Sequence, residues 1–465
     1  MPSYLSNSYP LDVAEGIYWG REWQWGYYKH PPLSSWILYG FYNIFGSIGP
    51  YLLSQLTIIL TLWLVYLLGK RIMSPERSAL GSLLLLAIFY YVWPTLEFNH
   101  NIAQFPIWVG ILYSLHLSIF DNRLRHWLLL GVLAGLGMLV KYFVAVLLVV
   151  AILFSLGRSR RHVWKTAGPW LALLLATLIF LPNLLWLIQN NWLPFTYAEE
   201  RSALASQGNP RLKAIQFLAV QVLNHIPLLT ILVLTRTRLY KTTEYKEGLN
   251  FLLFMGLTPA LLLFAIGLIF GVGLLDMWGM PMWNLSGLIV VALIPQALFA
   301  VKFPRILKGL SIWLILVTIC MMVYVYWGGK IRHKPSRMDW PQAMLAQHVQ
   351  NEWDALSQCP LDNISGDRWL ASIVAAELDG PSVMMAGSPA YSPWMNAQRL
   401  QTHGSFAIWQ QKDNIDMPLL NNLPTSNDMI IREGVWQISW KKTPKRQPLE
   451  VKWRAYIPSS CLKSS

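Results

Sequence analysis

Residues 127–156 read WLLLGVLAGLGMLVKYFVAVLLVVAILFSL, an apolar run that Lys141 and Tyr142 interrupt midway. About 20 apolar residues are enough for one helix to cross the hydrocarbon core of a bilayer, and this run is considerably longer. It therefore predicts two short helices that form a hairpin, with Lys141 near the turn. Such a hairpin returns the chain to the side of the membrane from which it entered.

The composition of the whole chain agrees with a membrane protein. Of its 465 residues, 54% are hydrophobic and only 13% are charged, about half the charged fraction of ordinary globular proteins. The 24 tryptophans and 20 tyrosines suit the two interfaces of a bilayer, where an amphipathic ring has one apolar and one wet side.

Other apolar runs predict further membrane-spanning helices. With the hairpin they give roughly ten crossings, and the runs lie near residues 49–69, 79–95, 102–120, 165–187, 215–235, 249–271, 278–300 and 309–328. The sequence thus predicts an α-helical polytopic membrane protein.

The net charge of +14 is carried mostly by short loops between the apolar runs. This distribution differs from the basic face of a nucleic-acid-binding domain, so the sequence argues against nucleic acid as a partner. Loops rich in Lys and Arg face the cytoplasm, and the alternation is consistent only if residues 127–156 form a hairpin. Five loops are predicted to be cytoplasmic on this ground. Their basic residues are Lys70, Arg71 and Arg77; Arg123 and Arg125; Arg158, Arg160, Arg161 and Lys165; Arg236, Arg238, Lys241 and Lys246; and Lys302, Arg305 and Lys308.

The composition changes near Gly328, which divides the chain into a transmembrane domain, residues 1–328, and a C-terminal domain, residues 329–465. Residues 340–356 have a helical pattern, and β-rich runs cover 382–386, 406–410 and 450–457, so we expect a small α/β domain outside the cytoplasm. Cys359 and Cys461 lie in it. An oxidising compartment would permit a disulfide between them, while two free thiols are the equal alternative.

The same topology places residues 1–33 in an outward loop. This loop opens the chain without a preceding apolar segment, so either a first helix is missing from the sequence or the following helices translocate the loop. Asp12 and Glu15 are three residues apart and would share a helical face, where they could hold a cation or accept a proton. The alternative is a helix N-cap at Asp12, completed by Glu15.

The loop continues as Gly26-Tyr-Tyr-Lys-His-Pro-Pro-Leu33, and this segment with the preceding acidic pair resembles the GT-C class of polytopic glycosyltransferases. The nearest group is the bacterial glycosyltransferase family 39 type, related to protein mannosyltransferases and to the aminoarabinose transferases of lipid A. Three further segments are similar to that group, namely 97–101 (EFNHN), Lys141-Tyr142, and 277–282 (MWGMPM).

The resemblance implies an activity, its partners and a location. The enzyme would transfer a sugar from a polyprenyl-phosphate carrier to a lipid, glycan or protein acceptor at the periplasmic face of a bacterial inner membrane, in contact with membrane lipids. Asp12 matches the catalytic aspartate of the first loop. A divalent cation, Mg²⁺ or Mn²⁺, would be held by Asp12 and Glu15.

One departure from the family pattern concerns this cation. In lipid A transferases an acidic residue and a lysine precede the proline, whereas here Lys29 and His30 precede Pro31. One expected carboxylate is therefore missing, and Lys29 could supply a fixed positive charge to phosphate in place of an ion.

The remaining candidates are polar side chains of the outward segments. Each has a plainer alternative: a boundary loop for the group near residue 100, a snorkelling lysine for Lys141, and a solvated loop for Arg201. The substrate-binding candidates are Tyr28, Lys29, His30, Glu97, Asn99, His100, Lys141 and Arg201.

A transporter or flippase of a lipid-linked sugar is the rival function. Roughly ten helices with few intramembrane charges would suit it as well. Transporters commonly have two related halves, however, and no internal repeat is visible in this sequence. The sequence therefore favours the glycosyltransferase.

Overall fold

The computed structural model describes residues 2–205, 208–240, 244–378, 380–385, 389–410, 429–441 and 446–463. Lys241, predicted in a basic loop, and Ala386, predicted at a strand end, lie outside these ranges. The chain is mainly helical up to Ile331. Its helices, in order, are α1 (Pro2–Leu5), α2 (Leu11–Glu22), α3 (Leu33–Phe45), α4 (Gly49–Gly69), α5 (Pro75–Leu83), α6 (His100–Phe120), α7 (Leu124–Val140), α8 (Val144–Ser155), α9 (Ala167–Gln189), α10 (Leu193–Ala205), α11 (Pro210–Leu223), α12 (Ile226–Leu234), α13 (Lys246–Phe270), α14 (Ser286–Ala292) and α15 (Gln296–Ile331).

The elements after Ile331 alternate between helices and strands. They are α16 (Gln342–Leu356), β1 (Asn363–Gly366), α17 (Arg368–Leu378), β2 (Ser382–Met385), α18 (Ala397–His403), β3 (Ser405–Gln410), β4 (Met429–Ile438) and β5 (Leu449–Pro458). The strands form one sheet in the order β2-β1-β3-β5-β4. β1 pairs in parallel with β2 and β3, whereas β5 runs antiparallel to β3 and β4.

The chain divides into two compact units. The sheet unit comprises Met1–Tyr28, Ser35–Pro50 and Met321–Ser465, and the helix unit comprises Lys29–Ser34 and Tyr51–Cys320. The outward segment around Lys29 thus belongs to the helix unit, while Asp12 belongs to the unit that contains the sheet.

Within the described ranges, five helices are long and apolar enough to cross a membrane, and two bent pairs bring the number to seven. The five are 33–69, 100–120, 167–189, 246–270 and 296–331; the bent pairs are 75–96, which turns by 90°, and 210–234, which turns by 44°. The protein is therefore a helical, polytopic membrane protein.

The predicted late span, residues 278–300, is wrong as one helix. Asp276–Trp283 forms a 3₁₀ helix that contains Pro281, and α14 covers only Ser286–Ala292. Pro281 lacks the N–H that an α-helix needs at this point, so the series of backbone hydrogen bonds is interrupted within the segment. The predicted span near 79–95 is likewise broken, since α5 ends at Leu83 and short 3₁₀ turns follow up to Leu96.

The predicted hairpin is confirmed. α7 ends at Val140, Lys141 is extended with φ −162° and ψ 129°, and α8 begins at Val144. Glycines on α7 allow a close approach to α9. A Cβ at Gly131 would lie 2.6 Å from the Ala172 carbonyl oxygen, so only glycine fits at that contact.

Basic loops of the helix unit lie against one another at one end. The Arg71 guanidinium is 2.6 Å from the Asp121 carboxylate, which joins the loop before α5 to the loop before α7. Lys302 Nζ donates to the Thr235 carbonyl oxygen at 2.8 Å, which joins two further loops. The contacts are those expected if these loops share one side of the membrane.

Buried Arg77 holds the same end together from inside. Its guanidinium donates to the carbonyl oxygens of Val291 and Ile294 at 2.8 Å each, and to Gln296 Oε1. Val291 lies in the last turn of α14 and Ile294 just after it, where a helix leaves acceptors without intrahelical partners. Arg77 therefore has a structural role.

The sheet unit has its own aromatic core, in which the Phe406 ring stacks on Trp436 and Trp453. A disulfide joins Cys359 and Cys461, with 5.3 Å between their Cα atoms, so the disulfide alternative of the sequence analysis is confirmed. α2 packs against α17 in this unit. Tyr42 of α3 adds a hydrogen bond from its hydroxyl to the Ala376 carbonyl oxygen at 3.0 Å.

Candidate active site

Four basic side chains of the helix unit lie together, and we call them the basic cluster: Lys29, His30, His100 and Lys141. The rings of His30 and His100 have centroids 3.8 Å apart at an angle of 33°. Lys29, His100 and Lys141 are buried, and both lysines act electrostatically on His30. Two buried ammonium groups beside two imidazoles that can donate hydrogen bonds are the kind of site that binds an anion.

The start of α6 positions His100 of the basic cluster. Asn99 caps the helix, because its side-chain oxygen accepts the backbone N–H of Asn101 at 2.9 Å and of Ile102 at 3.2 Å. His100, the first residue of the helix, reaches the His30 ring. Asn99 thus has a structural role beside the substrate contact predicted for it.

Lys141 lies at the break between α7 and α8, where the extended backbone turns its side chain toward α6. Its ammonium donates to Asn101 Oδ1. A lysine at this depth is costly unless polar groups surround it. The buried Lys141 therefore differs from the snorkelling lysine of the alternative interpretation.

α10 supplies an aromatic residue that the sequence analysis did not single out. Lys29 Nζ lies 5.8 Å from the centroid of the Tyr197 ring, a distance at which a cation and a ring attract each other. Arg201 is exposed on the same helix, four residues after Tyr197, and so lies on the same face. The loop in which the sequence placed Arg201 is helical.

Glu97 is half-buried in the segment between the bent pair and α6. Its backbone carbonyl accepts a hydrogen bond from the Ser54 hydroxyl at 3.4 Å. This contact ties the segment to α4 and fixes the approach to Asn99 and His100.

The surroundings of His30 determine its charge. Loss of solvent around the ring, followed by the effects of His100, Lys141 and Lys29, lowers the pKa of His30 well below its usual range. His30 is therefore neutral at pH 7, and one of its ring nitrogens can donate while the other accepts.

In the sheet unit, Asp12 and Glu15 occupy very different positions. Asp12 is half-buried in the first turn of α2. The N-cap of α2 is Pro10, without a side-chain cap, so the capping alternative for Asp12 is wrong. Glu15 is only 1% exposed, and its carboxylate lies 3.1 Å from the Arg368 guanidinium of α17.

The end of α2 makes further contacts with the C-terminal segment. Ser382 donates a hydrogen bond to the Glu22 carboxylate. Burial raises the pKa of Glu22, while the bond from Ser382 and the charge of Arg399 act in the opposite direction. Tyr28 is half-buried, and its ring lies against Tyr391 with centroids 4.7 Å apart. Tyr28 thus contacts residues of its own unit.

The predicted divalent cation would find few protein ligands among the described residues. No three His, Cys, Asp or Glu side chains converge among them in a way that could hold a metal ion, and Glu15 is engaged by Arg368. Hard cations need several oxygen ligands. We therefore assign no catalytic step to a metal.

The comparison with family models gives one match. Residues 29–186 match the family described as dolichyl-phosphate-mannose-protein mannosyltransferase. The matched range contains all four residues of the basic cluster. Asp12 and Arg201 lie outside it.

Curated relatives are transferases of the bacterial envelope. The chain is 27% identical to the lipopolysaccharide core galacturonosyltransferase RgtA of Rhizobium johnstonii, over 44% of this chain and 42% of the relative. For RgtB of the same organism the identity is 23%, over 85% and 81%. The undecaprenyl phosphate-α-4-amino-4-deoxy-L-arabinose arabinosyl transferase of Pseudomonas savastanoi is 30% identical, over 34% of this chain. The chain spans only 31% of that relative's length.

Solved structures give the same fold. The chain is similar to apo ArnT from Cupriavidus metallidurans with a TM-score of 0.62 and 14% identity, covering 99% of this chain and 96% of that one. The same protein bound to undecaprenyl phosphate gives a TM-score of 0.60 at 15% identity, covering 97% and 95%. The resemblance predicted from the first loop is confirmed: the chain has the fold of the GT-C class of glycosyltransferases.

Proposed function

We propose that the protein is a membrane glycosyltransferase that moves a sugar from a polyprenyl-phosphate donor to a lipid, glycan or protein acceptor. The basic cluster carries this proposal. Two buried lysines lie close to a pair of contacting imidazoles, and the phosphate group of a polyprenyl-phosphate donor would relieve the repulsion between the two ammonium groups. ArnT, whose fold this chain shares, has been solved with undecaprenyl phosphate bound.

The donor phosphate would lie among Lys29, Lys141 and the neutral His30. Its negative charge grows as the bond to the sugar breaks, and fixed positive groups in a site of low dielectric stabilise that charge. His30 can donate one hydrogen bond to a phosphate oxygen. Glu97, Asn99, His100 and Arg201 of the helix unit would position the donor around this centre. Tyr28 stays a predicted substrate contact.

The transfer itself needs one base. An acceptor hydroxyl oxygen attacks the anomeric carbon, the bond from that carbon to the phosphate oxygen breaks, and the polyprenyl phosphate leaves with the bonding electrons. Asp12 takes the proton of the acceptor hydroxyl. One displacement of this kind inverts the anomeric carbon.

The divalent cation stays a prediction. If one takes part, the donor phosphate would have to supply most of its ligands, with Asp12 as the protein ligand. Transfer that persists in a chelator would assign the charge neutralisation to Lys29 and Lys141. Loss of transfer that Mg²⁺ or Mn²⁺ restores would favour the cation.

The proposed topology has roughly ten crossings, with the basic loops in the cytoplasm and residues 329–465 in the periplasm of a bacterium with an inner membrane. Two observations support it. Contacts between the basic loops agree with one shared side, and the disulfide between Cys359 and Cys461 suits an oxidising compartment.

A transporter or flippase of lipid-linked sugars remains the second candidate, because the two bent helix pairs resemble the broken helices of transporters. Purified protein with undecaprenyl-phosphate sugars and an envelope extract distinguishes the two. New glycosylated product supports the transferase. Movement of the carrier across reconstituted vesicles, without product, would support the flippase.

A further inference from the structure

Gln104 lies on α6, one turn after His100 and Asn101, and its side chain is fully buried. Neither its amide nitrogen nor its amide oxygen has a hydrogen-bond partner among the described residues. Trp108, one further turn along the helix, is also fully buried, and its indole N–H likewise has none within that part of the chain. Residues 100, 104 and 108 share one helix face.

These groups are not turned toward lipid. α6 is the most buried of the five candidate spans in the described ranges, with 78% of its apolar window inside the protein. A buried amide without partners is strongly unfavourable, so native proteins seldom retain one. Polar residues in membrane-spanning helices almost always face the protein interior, where they pair with other polar groups or mark the path of a substrate.

The chemistry of the three groups selects a ligand. The amide of Gln104 offers both a donor and an acceptor, and the indole of Trp108 offers a donor. A phosphate oxygen only accepts, whereas a hydroxyl group both donates and accepts. A sugar ring presents several hydroxyls at neighbouring positions, which matches a donor-and-acceptor pair on one helix face.

We propose that Gln104 and Trp108 form a subsite for the hydroxyl groups of the donor sugar, one to two helical turns from His100. His100 belongs to the basic cluster and Asn101 binds Lys141, so the subsite continues directly from the phosphate site along α6. This inference rests on the proposed function and adds to it. Gln104 would determine which sugar is accepted, whereas the basic cluster would bind the phosphate that all donors share.

The test compares binding of a sugar-bearing and a bare carrier. Wild-type protein and Gln104→Met, which keeps the length of the side chain but loses its hydrogen bonds, are titrated with undecaprenyl phosphate, with undecaprenyl phosphate 4-amino-4-deoxy-L-arabinose, and with polyprenyl-phosphate galacturonic acid. Trp108→Phe removes the indole N–H together with part of the ring and keeps an apolar aromatic side chain, and it serves as a second variant. Ser118→Ala is the matched control, since the Ser118 hydroxyl is buried on the same helix and equally lacks a partner within the described chain.

We expect Gln104→Met to weaken binding of the sugar-bearing donor that wild type prefers by about tenfold or more. Its affinity for the bare carrier should be unchanged. Trp108→Phe should have the same pattern with a smaller loss. Ser118→Ala should bind all probes as wild type does. Without ligand, Gln104→Met should be at least as thermally stable as wild type, because an unsatisfied amide has been removed.

Equal loss of affinity for the sugar-bearing and bare carriers would overturn the inference, as would no loss for any of them. Wild type that binds the bare carrier and every sugar-bearing probe equally would also overturn it. The proposed function is tested separately: if Gln104→Met shows the expected selective loss of binding but wild type transfers no sugar, the subsite stands and the transferase assignment fails.

Discussion

The imidazole rings of His30 and His100 lie 3.8 Å apart, one in the segment that precedes α3 and the other at the first residue of α6. The contact brings together two motifs that are separated by three helices, α3 to α5, in the sequence. It also brings Lys29 and Lys141 to act on one imidazole. The proposed phosphate site depends on this relationship, because it brings the two lysines and the two imidazoles together.

Replacing Lys141 by Gln should reduce kcat/KM of sugar transfer by about a hundredfold. The variant loses a charge-assisted hydrogen bond to phosphate, worth about 1.5–3 kcal/mol, while Asn101 can still pair with the new amide. Initial rates of sugar transfer at low donor concentration measure this change in kcat/KM. Lys70→Gln is the control, because Lys70 is exposed and belongs to a basic loop. An equal loss of kcat/KM in this control would contradict the assignment of Lys141 to phosphate binding.

The pH dependence of stability should contain a contribution from His30. Its folded pKa lies below the unfolded value of about 6.5. The stability that neutral His30 provides is complete above that pH, and it declines as the pH falls toward the folded pKa, by up to about 1.4 kcal/mol per pH unit.

His30→Asn does not titrate, so the variant should lose less stability than wild type between pH 6.5 and pH 5. Thermal midpoints in detergent, at one scan rate, give this comparison. Parallel curves for the two proteins would contradict the environment assigned to His30.

The ion pair of Glu15 and Arg368 should respond asymmetrically to substitution. Arg368→Met leaves the Glu15 carboxylate buried without its charge partner, which costs about 3 kcal/mol or more. Glu15→Gln leaves a guanidinium that is 35% exposed and can be hydrated, so its cost should be smaller. Thermal midpoints of the two variants are compared; a larger drop for Glu15→Gln would contradict a structural role of this pair.

The disulfide between Cys359 and Cys461 should stabilise the sheet unit. It closes a loop with a sequence separation of 102 residues, for which chain entropy predicts a stabilisation of about 4–5 kcal/mol. Cys359→Ser should therefore lower the thermal midpoint and speed limited proteolysis of the C-terminal segment. Cys320→Ser, at an exposed free cysteine, should change neither. Equal proteolysis of the two variants would show that the bridge contributes little.

Local patterns predicted much of the helix unit. The hairpin followed from one lysine in an apolar run, because a charge at the centre of a long span is unfavourable, and two pairs of the basic loops proved to be in contact. The span predicted over 278–300 was wrong, since a 3₁₀ helix that contains Pro281 occupies its start and α14 covers only seven residues. Mean hydropathy does not record which backbone a segment can adopt.

The sequence predicted which residues belong to the candidate site better than it predicted which of them contact one another. Lys29, His30, His100 and Lys141 were recognised from motifs, but the contact between the two histidines joins distant segments. The partner of Glu15 lies on α17, in the C-terminal half of the chain, and Tyr197 lies in a stretch that reads as a polar loop. Long-range contacts of this kind leave no mark in the local spacing of residues.

The central claim is that Asp12 takes the proton of the acceptor during glycosyl transfer. The most direct measurement is the single-turnover rate with saturating donor, for wild type and Asp12→Asn. Asp354→Asn, at an exposed position of α16, is the control. We expect Asp12→Asn to be about 10²–10⁴-fold slower with donor affinity unchanged, and the control to match wild type. Transfer by Asp12→Asn at the wild-type rate would contradict the account.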